Sequence, residues 1–73
     1  MSETLYILRK KSINYIEHEL VNQFGLKMCF KNGKERIFKN TELLVKCHGK
    51  YVSVLIYDNS YKNMSYQIRD LVS

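Results

Sequence analysis

The chain has 73 residues, 45% of them hydrophobic, and twelve Lys and Arg against seven Asp and Glu, giving a formal charge of +5. A chain this short supports one core and one small α+β domain over residues 1-73, in which folding buries roughly 60% of the unfolded surface. Two cysteines make no disulfide framework, and no segment approaches the roughly 20 apolar residues of a membrane helix, so the expectation is a soluble cytoplasmic protein with reduced thiols and no membrane contact.

Leu5, Tyr6, Ile7 and Leu8 open the chain and form too short an apolar run before Arg9, Lys10 and Lys11 to act as a secretory signal. They fit either a short strand or the first turns of a helix running on from near Ser2, with Leu5 and Leu8 on its apolar stripe; the longer helix is the preferred expectation. From Ser12 to Phe24, Ile13, Ile16, Leu20 and Phe24 recur every three or four residues, which predicts an amphipathic helix with Ser12 as N-cap and Gly25 at its end.

Past Gly25 the period shortens to two. Leu26, Met28 and Phe30 alternate with Lys27, Cys29 and Lys31, and Asn32-Gly33 then predicts a type I′ hairpin whose second strand is Lys34 to Lys39. That turn pairs Phe30 with Glu35, Met28 with Ile37, Cys29 with Arg36 and Lys27 with Phe38. A second hairpin around His48-Gly49 pairs Val45 with Val52, Leu43 with Val54 and Cys47 with Lys50, leaving Leu44, Lys46, Tyr51, Ser53, Leu55 and Tyr57 on the reverse side. Asp58, Asn59 and Ser60 are cap candidates for a last helix carrying Tyr61, Met64, Ile68 and Leu71. The resulting architecture is an antiparallel sheet of about four strands, built from two β-hairpins and covered on one face by an N-terminal and a C-terminal helix. Its expected core is Ile16, Leu20, Phe24, Met28, Phe30, Ile37, Val45, Val52, Val54, Ile56, Met64 and Ile68.

The surplus charge is concentrated. Residues 27 to 50 carry Lys27, Lys31, Lys34, Arg36, Lys39, Lys46 and Lys50 against Glu35 and Glu42, while the cations and anions elsewhere balance. On a sheet, Lys27, Lys31, Lys34, Arg36, Lys46 and Lys50 can neutralise phosphates, with Tyr51 and Tyr57 as platforms for unpaired bases. The expected function is therefore a non-enzymatic regulator that binds nucleic acid, DNA or RNA, through a basic-aromatic sheet face. The competing expectation is an accessory factor that captures an acidic protein or forms a homodimer through Leu44, Leu55 and Tyr57. Abundant Lys, Asn, Ile and Tyr without Trp or Pro fit a low-GC bacterium or one of its phages.

Other chemistry has less behind it. Cys29, Cys47, His18 and His48 lack the close ligand pairs of a structural zinc site, so no metal or other cofactor is expected. Gly25, Gly33 and Gly49 are accounted for by a helix end and two turns and make no phosphate loop. Cys47 and His48 are neighbours on a strand and point to opposite faces, so they make no catalytic pair. An RNA-cleaving enzyme using Lys, Arg, Tyr and His has only the composition in its favour, and no catalytic residue is assigned.

Overall fold

A computed structural model describes residues 3–58 and 62–73. In chain order the elements are strand β1 (Glu3–Leu8), helix α1 (Ile13–Asn22), strands β2 (Lys27–Asn32), β3 (Glu35–Lys39), β4 (Leu43–His48) and β5 (Tyr51–Ile56), and helix α2 (Lys62–Val72). The strands form one antiparallel sheet in the order β1-β5-β4-β3-β2, so the fold is α+β as expected, with five strands where about four were anticipated.

The additional strand is β1, which replaces the expected early helix. Its burial follows period two: Ile7 is buried and Leu5 half-buried, whereas Thr4, Tyr6 and Leu8 are exposed. Pairing with β5, where Ile7 lies opposite Val52, satisfies the backbone along one side. Helix α1 begins where the sequence indicates, with the Ser12 Oγ accepting from the Tyr15 N–H at 3.2 Å. The cap candidates Asn59 and Ser60, and Tyr61 of the last apolar stripe, lie outside the described residues.

Both hairpin registers differ from expectation for one reason. A type I′ turn needs positive φ at both central residues, and among the described residues only glycines adopt positive φ. Asn32 and His48 therefore stay in their strands, opposite Glu35 and Tyr51, and the loops are Gly33-Lys34 and Gly49-Lys50 with the glycine leading. In the second hairpin the shift preserves the faces: Val45 pairs with Val54, Leu43 with Ile56 and Cys47 with Val52, all fully buried.

In the first hairpin the same shift is joined by an irregularity within β2, and that irregularity changes the faces. Beyond an irregularity between Met28 and Phe30, Phe30 pairs with Ile37 and Lys31 with Arg36, while Met28 pairs with Phe38. Phe38 is thus fully buried in the core, and Phe30, at 44% exposure, lies with Ile37 on the opposite face. Phe30 and Ile37 are accordingly removed from the expected core, and Met28 is only its exposed margin. Ile7, Leu26, Phe38, Leu43, Cys47 and Val72 join the core, with Phe24 and Met64 packed partly against it.

Ile16 and Leu20 of α1 and Ile68 and Val72 of α2 enter the same buried cluster as the inner side chains of the sheet. Both helices therefore lie on one face. Among the described residues, no helix lies on the other face.

Candidate nucleic-acid interface

Directly opposed residues of an antiparallel pair share a face, so the ladder registers define the outer surface as three rows across the strands. One row runs Lys27, Lys39, Leu44, Leu55, Thr4. The next is Phe30, Ile37, Lys46, Ser53, Tyr6, and the last is Asn32, Glu35, His48, Tyr51, Leu8. Tyr6 is 75% exposed, and Leu8 and Tyr51 are more than half exposed. Aromatic rings thus stand on β1, β2 and β5, with lysines on β2, β3 and β4 between them.

Lys27 and Lys39 face each other across the β2–β3 pair, and none of Lys27, Lys39 and Lys46 forms an ion pair among the described residues. Like charges directly opposed destabilise a sheet until an anion neutralises them. Beside this pair lies a surface depression of about 550 Å³, lined by Lys27, Cys29, Lys39, Asn40 and Tyr57 among others.

The sequence-derived site residues divide. Lys27, Lys46 and Tyr51 are on the outer face, and Tyr57 lies just past β5 at the depression. Lys34 and Lys50 occupy the two hairpin loops at one end of the sheet, where Arg9 also docks, its backbone N–H donating to the Lys50 carbonyl at 2.6 Å and its Nε to the Gly49 carbonyl at 2.9 Å. Lys10 and Lys11 follow Arg9 and donate their backbone N–H groups to the Val72 carbonyl. Five cations therefore gather at that end.

Arg36 and Lys31 are not part of this surface. Arg36 is buried beneath α1, with Nη1 donating to Glu17 Oε1 at 2.8 Å and to Asn14 Oδ1 at 3.0 Å, and Nε donating to the Gly33 carbonyl. Lys31 lies on the same side, 3.7 Å from Glu17 Oε1. The irregularity between Met28 and Phe30 puts both on the side of the sheet that the helices cover, so Arg36 acts as a structural tie. The cations from 27 to 50 do not all converge on one surface.

Lys39, Phe30 and Tyr6 are outer-face residues that the sequence reading did not assign to the site. Period-two alternation from Lys46 through an even β3–β4 register identifies Lys39, but Phe30 is disguised by the irregularity and Tyr6 by the ambiguous first segment. Cys29 is exposed and Cys47 buried. Burial pushes the Cys47 thiol up from 9.0 to about 11, against the lowering influence of Arg9 and Arg36. No family model, curated protein or solved structure matches the chain.

Proposed function

We propose that this protein is a small non-enzymatic regulator that binds single-stranded nucleic acid across the outer face of its sheet. The observation that carries the reading is the outer face on which Lys27, Lys39 and Lys46, without an ion pair among the described residues, alternate with Phe30, Tyr6 and Tyr51. Ammonium groups neutralise phosphates, and exposed rings stack on bases that a duplex would keep paired. Strands about 4.8 Å apart make the row from Phe30 to Tyr6 roughly 19 Å wide, enough to carry several nucleotides. Lys34, Lys50 and the Arg9–Lys11 run extend the positive field at the loop end. Two free thiols fit a cytoplasmic setting.

Fluorescence anisotropy of a labelled mixed-sequence 20-nucleotide single strand, titrated at several KCl concentrations, tests the proposal. The logarithm of the association constant falls linearly with the logarithm of salt, and Tyr51→Ala weakens binding by about 1–3 kcal/mol. Absence of binding, or an affinity indifferent to salt, overturns it.

A second reading is capture of an acidic protein. Half-buried Ile37, Leu44 and Leu55 give the middle of the face an aliphatic character that favours it. Under that reading, partners retained from lysate survive nuclease treatment.

A further inference from the structure

We propose that the protein forms a two-fold homodimer by pairing β1 edge to edge with β1 of a second copy. The two borders of the sheet differ in kind. β2, at one border, carries the irregularity at Cys29 and the cations Lys27 and Lys31, devices that discourage further pairing. β1, at the other border, reads Thr4, Leu5, Tyr6, Ile7, Leu8 without a charge, and among the described residues no strand pairs with its outer side.

The ladder specifies which backbone groups are on offer. Arg9 donates its N–H to the Lys50 carbonyl, which extends the β1–β5 register by one hydrogen-bonded position. In an antiparallel ladder such positions alternate, so Ile7, Leu5 and Glu3 point their backbone groups at β5, and Thr4, Tyr6 and Leu8 point theirs outward. A second β1 can meet these three residues only in registers that oppose even-numbered residues to even-numbered ones, and the same parity keeps inner faces on inner faces and outer on outer.

Of these registers, the one centred on Tyr6 uses the whole strand. It sets Tyr6 opposite Tyr6 of the partner subunit, Thr4 opposite Leu8 of the partner subunit and Leu5 opposite Ile7 of the partner subunit. Each opposed even-numbered pair exchanges two backbone hydrogen bonds, about six in all. It also sets Glu3, whose carboxylate lies 3.6 Å from Lys62 of its own chain, opposite Arg9 of the partner subunit at both ends, so that opposite charges bracket the apolar strand. A shift by two residues in one direction instead opposes Glu3 to Ile7 of the partner subunit. Charge complementarity and strand length thus select a second copy as the occupant, and the product is one continuous ten-stranded sheet with the two outer faces side by side.

The experiment uses the unmodified chain without nucleic acid, so its result does not depend on the function proposed above. Sedimentation equilibrium at tens of micromolar gives the mass of two chains, and hydrogen exchange followed by NMR shows the Thr4, Tyr6 and Leu8 amides protected at high protein concentration and exchanging faster on dilution. Tyr6→Lys places like charges at the two-fold axis, and Tyr6→Pro removes an outward N–H while sparing the β5 ladder; both give the mass of one chain with helical circular dichroism retained. A single-chain mass for the unmodified protein at 100 micromolar, or a dimer in which those three amides exchange rapidly, overturns the proposal. Should either variant fail to fold, the exchange of the three amides in the unmodified chain decides alone.

Discussion

The guanidinium of Arg36 reaches across from β3 to α1 and holds the Glu17 carboxylate at 2.8 Å. Arg36 is buried and Glu17 only partly so, which makes the two ends of the pair unequal. Glu17→Ala leaves a desolvated cation with weaker partners and lowers stability by about 3 kcal/mol. Combining Glu17→Ala with Arg36→Met removes that stranded charge and recovers much of the loss, as urea denaturation of the single and double variants will show.

The register of the first hairpin separates two phenylalanines. Phe38→Ala opens a void in a fully buried site and costs about 3–5 kcal/mol, whereas Phe30→Ala, on the outer face, costs roughly 1 kcal/mol or less. Chemical denaturation midpoints check the contrast, and a reversed order contradicts the observed pairing.

The two thiols differ in the same way. Exposed Cys29 reacts with a thiol reagent at pH 8, and Cys47 reacts only after denaturant is added. Because the folded-state pKa of Cys47 is raised to about 11, the unfolded chain releases its thiol proton first as pH climbs. Stability contributed by the protonated thiol is therefore complete below pH 9 and lost between about pH 9 and 11, an effect on the order of 1–3 kcal/mol. The difference between the unmodified chain and Cys47→Ala, measured across that window, isolates it from lysine and tyrosine titration.

Placement on opposite faces distinguishes Lys46 from Lys31. Lys46→Ala reduces the salt slope of single-strand binding by ~0.7, and Lys31→Ala leaves it unchanged, since that ammonium lies beside Glu17 on the helix side. Equal effects on the slope contradict an outer-face site.

How far the sequence carries depends on the segment. Val45, Val52 and Val54 alternate so cleanly that a misplaced turn left their burial untouched, and Ser12 marked the start of α1 by its capping chemistry. β2 was harder because its apolar residues keep one parity while the inward-facing positions are even-numbered up to Met28 and odd-numbered from Lys31, a switch made by backbone irregularity that leaves no trace in composition. β1 was misread because Leu5 and Leu8 fit a helical stripe, whereas the strand buries Ile7 beside Leu5 and sets it opposite Val52, far along the chain. The buried Arg36 was read as a surface cation since its partners, Glu17 and Asn14, lie on a distant helix that no local pattern connects to it.

β1 and β2 are separated in sequence only by α1, yet they occupy opposite borders of the sheet. The strands from β2 to β5 join neighbours through short loops and need little chain closure, whereas β1 must find residues near the far end of the chain. Chain closure therefore favours assembly of the meander before the N-terminal strand joins it. A chain halted before that event leaves β5 as a raw border lined with valine, which makes this step the point at which newly made protein is most prone to aggregate.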